Sequence, residues 1–237
     1  RFAIGQLAND IRMAGYMGCS NVDRMEVNII ADPPSSYSFS SSTVVTGIDN
    51  VGATNSWSAV AGSDVLEIRR GSNTGVKLTG NMSADNANIQ ITDNSPGFEA
   101  GDALFITDCT SADLFRATNV SAGNGQGNGG QVTIAHANNN NTTNRLSKTY
   151  GTDAEVMAFE SVAYFIRNSG RTTPSGAAIP ALFVSSRTAG TSGVTTTYEL
   201  IEGVENMQLE YGVDTSGDGA ADAYRTASNV SDWSRVV

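Results

Sequence analysis

Cationic residues are scarce, histidine is nearly absent, and no long apolar run occurs. Lys and Arg total 14 against 24 Asp and Glu, a formal charge of -10. The clustered cations that bind nucleic acid or an anionic membrane surface are therefore missing, and a protein or a cation is the better partner. No stretch reaches the roughly 18–20 apolar residues of a membrane span. Cys19 and Cys109 are the only 2 cysteines and lie outside any CxxC or Cys/His pattern, which excludes a zinc finger or a thioredoxin-like motif. They form one long-range disulfide or remain two buried thiols. His136, the only histidine, would have to carry a Ser-His-Asp or Cys-His arrangement alone. Cys19 has no adjacent base to activate it, and pairs such as Asp108 with Asp113 are what any acidic chain offers. The chain is read as non-enzymatic.

What remains is a chain in which only 16% of residues are charged and 25 are Gly, with Ser, Thr and Asn abundant. That balance suits a β-rich extracytoplasmic protein. The opening "FAIGQLANDIRMAGYMGC" places Ile4, Leu7, Ala8, Ile11 and Ala14 at helical spacing, with Gly15 and Gly18 as a stop. Arg1 falls inside this pattern, so an upstream continuation of the helix is expected. Short β-branched or alternating runs follow at 25–30, 64–70, 76–80, 88–92, 102–109, 113–120 and 131–137, an antiparallel pattern separated by turns. The low-complexity segments 123–130 and 138–144 are expected as flexible hairpin ends, and 35–43 and 188–193 as surface loops. The apolar patch at 154–168 reads as a strand broken near Glu160 and Ser161, or as a helix. Beyond the strand at 180–187, "LIEGV" reads as one helical turn before Met207, Leu209 and Tyr211 alternate on a strand.

The segment "DTSGDGAAD" sets short oxygen ligands at alternate positions: Asp214, Ser216, Asp218, the carbonyl of Ala220, and Asp222, with Gly219 at the turn. The spacing follows the first nine positions of an EF-hand loop, whose twelfth would be Arg225 rather than Glu. Either a weak calcium site or a tight turn satisfied by its own Asp and Gly residues fits this pattern.

Taken together, "FAIGQLANDIRMAGYMGC", "GDALFITDC", "LIEGVENMQLEYGVDTSGDGAADAY" and "VSDWSRVV" resemble the PilW-type minor pilins of bacterial type IV pili. The resemblance implies an α+β, pilin-like fold: an N-terminal amphipathic helix packed on a β-rich antiparallel head. Residues 1–18 would be the lower half of the pilin helix, with Phe2, Ile4, Leu7 and Ile11 available for helix packing, and 19–237 the head. It also implies an inner-membrane anchor upstream, and partners among the other minor pilins and the major pilin. The protein would begin at the inner membrane facing the periplasm and pass to the extracellular pilus, at its tip. Its task would be priming pilus assembly, in support of adhesion, twitching motility or DNA uptake. A Cys19–Cys109 disulfide would tie the helix end to the sheet, and calcium in the Asp-rich loop is the one cofactor expected. The alternative is a tip adhesin or calcium-dependent surface-binding module.

Overall fold

The computed structural model describes residues 2–80, 82–122 and 131–237; the expected hairpin end at 123–130 lies outside the described residues. Strands hold 38% of the residues and helices 9%. This overturns the α+β expectation: the fold is predominantly β, built from several sheets, with a single short α-helix among the described residues, Phe2–Arg12. The physical reason is that the helical period stops at Arg12. Beyond Gly15 the chain enters a hairpin, Tyr16–Met17 with Ser20–Asn21, and the large apolar residues thereafter follow a period of two.

The principal sheet has nine strands. Its longest, Glu155–Thr172, pairs along its first half with Ala103–Thr107 and Val76–Lys77. Along its second half it pairs with Val65–Gly71 and Ala178–Arg187. Thr196–Glu202 extends the sheet beyond Ala178–Arg187, and Val45–Ile48 beyond Val65–Gly71. On the other side, Ala112–Arg116 follows Ala103–Thr107 and takes Val27–Ile29 in parallel, so the sheet is not wholly antiparallel. A second sheet joins Asn119–Ala122, Val132–Ala135 and Asn88–Ile91.

The ambiguous segment at 154–168 is thus one unbroken strand. Glu160 and Ser161 mark the point where its partners change, not a gap. "LIEGV" is the end of the strand Thr196–Glu202 and the turn after it, and only Tyr211–Val213 of the expected downstream alternation is a strand. The expected run at 113–120 is two strands, with a break at Ala117–Thr118.

Phe98, Phe105, Phe115, Phe159 and Phe165 are fully buried, each worth roughly 1.5–3 kcal/mol relative to exposure. Cys19 and Cys109 are joined, with Cα atoms 5.3 Å apart across 90 residues of sequence. The bond ties the hairpin after the helix to the loop after Ala103–Thr107. Replacing Cys109 by Ser is expected to lower unfolding free energy by about 2–5 kcal/mol. Urea titration of the two forms checks it, and added reductant should bring the parent chain down to the variant.

Candidate assembly surface

The helix lies on the principal sheet through only part of the stripe that helical spacing marks. Ala3, Leu7 and Ala14 pack against the cluster containing Leu66, Ile68, Val162 and Tyr164. Phe2, Ile4 and Ile11 are 65%, 73% and 44% exposed. The buried helical residue is Asp10. Its Oδ1 accepts from Arg70 Nη1 at 2.7 Å, and Arg70 Nε donates to Glu160 Oε2 at 2.8 Å. The Tyr164 hydroxyl donates to the other Asp10 oxygen.

Burial drives the Tyr164 hydroxyl to a higher pKa, and its bond to Asp10 adds to the rise. For Arg70, burial alone would lower the pKa, but the bonds to Asp10 and Glu160 outweigh it and hold the guanidinium above its ordinary value. Removing one member of such a network strands a buried charge. The bonds therefore choose which helical side faces the sheet and leave Ile4 and Ile11 outward.

The C-terminal segment forms the neighbouring wall. Tyr211–Val213 pairs with Ala223–Arg225, and Val213 bridges to Val236. The Tyr211 ring meets Trp233 edge to face at 4.8 Å. Its buried hydroxyl has no hydrogen-bond partner among the described residues and presses on Gly47, where any side chain would collide. Desolvation raises its pKa, with the charges of Asp64 and Asp49 acting in the same direction. An apolar groove of about 340 Å³ runs between this wall and the helix end, lined by Ile11, Ala14, Val44, Tyr211, Trp233 and Val236. Neither Gly47 nor Asp10 carries a sequence signal for these roles.

In the Asp-rich loop the carboxylates serve the loop's own donors. Asp214 Oδ1 accepts from the amide of Gly217 at 2.6 Å and the hydroxyl of Ser216 at 3.3 Å, while Oδ2 accepts from Gly219 at 2.7 Å. Asp222 Oδ2 accepts from the amides of Thr215 and Ser216, both at 2.8 Å, and from the Thr215 hydroxyl. Asp218 Oδ1 accepts from the amide of Ala220 at 2.9 Å. The amides of Gly219 and Gly217 hold the Asp214 carboxyl below its ordinary pKa, as the Thr215 hydroxyl and amide do for Asp222. Among the described residues no group of three or more His, Cys, Asp or Glu side chains is gathered to hold a metal ion. As arranged, these residues form a self-capped turn.

His136 is fully buried, packs on Phe115 with ring centroids 5.1 Å apart, and has no hydrogen-bond partner at either ring nitrogen among the described residues. No nucleophile among them meets it. Asp113 is buried as an acceptor for Ser147 and Tyr150, both hydroxyls at 2.6 Å. Asp108 faces Lys148 at 2.5 Å and the turn around Thr110. Each carboxylate is engaged separately, so they do not form an acid/base pair. In Asp108, burial acts to raise the pKa, but the Lys148 ammonium and the Thr110 donors outweigh it and bring it down to about 2.

Residues 163–237 match the family model of PilW, the type IV pilus-assembly protein W. The PilW match begins inside Glu155–Thr172 and covers Ala178–Arg187, Thr196–Glu202, the Asp-rich loop and the Trp233 turn. It leaves out the helix and both cysteines, so the resemblance of "FAIGQLANDIRMAGYMGC" and "GDALFITDC" lies outside it. It supports a relation to type IV pilus assembly through the last third of the chain. Neither a curated protein nor a solved structure matches the chain.

Two measurements test this chemistry. Burial lowers the His136 pKa from 6.5. A base held neutral in the folded state stabilises fully above its unfolded pKa, and that contribution is lost as pH falls below about 6.5 toward the depressed value. Melting temperature is therefore expected to decline between about pH 6.5 and 5 in the parent chain, and His136→Gln should flatten this limb. For the loop, melting in calcium and in chelator should coincide, with Asp214→Ala lowering both equally; a calcium-dependent rise would restore the metal reading.

Proposed function

We propose that the chain is the head and lower helix of a minor pilin, a structural subunit that helps prime type IV pilus assembly alongside other minor pilins and the major pilin. The observation that carries this reading is the double-sided helix. One side is locked to the sheet through Asp10, while Ile4 and Ile11 stand exposed together on the adjoining side, with Phe2 exposed at the helix start. Large apolar residues exposed side by side mark an interaction surface. The PilW match supplies the biological setting.

In this reading the helix continues upstream into an inner-membrane anchor, and its exposed side packs on helices of neighbouring subunits. The head faces the periplasm before assembly and the exterior afterwards, at or near the pilus tip. Adhesion, twitching motility and DNA uptake would depend on the protein through the pilus. The disulfide suits that oxidising route.

The test is a charge placed on the free side of the helix. Ile4→Asp with Ile11→Asp, introduced into the full-length protein in its own bacterium, should abolish surface pili and co-purification with the partner pilins. Stability of the purified head should change by no more than about 0.5 kcal/mol, because both positions are exposed. Wild-type piliation in the double variant would overturn the assembly role.

A further inference from the structure

The side chains of Glu155–Thr172 alternate between two faces. Val162, Tyr164 and Ile166 point toward the helix. On the opposite face stand Phe159, Ser161, Ala163 and Phe165 in succession. Phe159 belongs to an aromatic cluster with Tyr37, Phe39 and Phe105, and Phe165 stacks on Phe183 at 6.2 Å in a cluster edged by Trp57. Ser161 and Ala163 are too small to fill the space between these clusters. In register with them across the sheet are Arg69 and Glu67 on one side and Arg187 and Ser185 on the other. A cleft of about 290 Å³ results, walled by Trp57 and Ser36.

The two arginines differ. Arg69 Nη1 is engaged by the Ser38 hydroxyl at 3.2 Å and the Thr43 carbonyl at 2.9 Å. Arg187 lies with its guanidinium 5.4 Å from the centroid of the Tyr37 ring, a cation–π contact. Among the described residues its side chain has no ion pair or hydrogen bond, and Nε is buried without a partner. On a chain of net charge -10 a guanidinium without a carboxylate or hydrogen-bond partner, set in a concave site, calls for an anion.

We propose that this cleft binds one carboxylate-bearing sugar ring, of the uronic acid class. Arg187 pairs with the carboxylate through its planar fork. Trp57 offers its ring face to the apolar side of the sugar. Glu67 accepts from sugar hydroxyls, and Ser161 and Ser185 both donate and accept. Glu67 also selects against a doubly charged phosphate, which it repels, while leaving a singly charged sugar rich in hydroxyls acceptable. The volume falls just below the roughly 300–1,000 Å³ of ordinary ligand pockets, matching a single ring. The proposal is independent of the pilus reading.

The test titrates the intact isotopically labelled chain with glucuronate, and separately with glucose, inorganic phosphate and an acidic peptide. The signals followed are the Trp57 indole N–H and the amides of Ser161 and Ser185. Glucuronate is expected to give saturable shifts confined to the cleft and weakening with added salt, with glucose at least about tenfold weaker. Arg187→Gln should reduce glucuronate affinity about tenfold or more. Trp57→Ala should do likewise, so that a folding defect in either variant leaves the other to decide. No cleft-confined shift with glucuronate would overturn the proposal, as would phosphate or the peptide binding there as tightly, or undiminished affinity in a folded variant.

Discussion

Everything in this molecule hangs on the period-two alternation of one strand, Glu155–Thr172. Its 18 residues contribute to all four apolar clusters. In the first half Val156 and Ala158 enter one cluster, and Met157 and Phe159 the next. In the second half Val162, Tyr164 and Ile166 enter the third, and Phe165 the fourth. The partner strands change at Glu160 and Ser161, where the two polar residues meet two different needs. Glu160 shares Arg70 with the helix, and Ser161 floors the cleft beside Arg187.

The abundant carboxylates are mostly structural acceptors. Asp102 takes the amides of Glu99, Gly190 and Gly193 and so tethers the 188–193 loop. Asp64 takes those of Asn50 and Leu209, and Asp49 those of Ala227 and Ser228. Long connections with little regular structure leave many backbone N–H groups without a ladder partner, and a short acidic side chain satisfies several at once. The Asp-rich loop is the same device in its densest form. An acidic cluster in such a chain is accordingly poor evidence of metal or catalysis.

For assembly, the consequence is a division of labour on an 11-residue helix. A helix that buried Ile4 and Ile11 against its own head would leave a polar exterior. Fixing Asp10 to Arg70, with Leu7 against the sheet, instead leaves Ile4 and Ile11 outward, next to the groove bounded by Tyr211 and Trp233. The exposed side and the groove are contiguous at Ile11, which belongs to both.

Much of the fold is legible in the sequence. The strands expected at 64–70, 88–92, 131–137 and 180–187 follow from alternation and β-branching, and the helix from its spacing. These are local properties, set by neighbours within a few residues. The strand at 154–168 is not decidable that way, because burial on both faces erases the alternation that separates strand from helix. The outward turn of Ile4 and Ile11 and the arginine cleft are likewise beyond its reach. Each depends on groups held together by the fold, most plainly at Asp10, which pairs with Arg70 across 60 residues and with Tyr164 across 154. Composition and periodicity determined the opening helix and most of the short strands that follow it. The assembled sheet alone decided which helical side is covered and where an unpaired guanidinium is left, because desolvation and pairing of charge arise only between surfaces that folding has already brought together.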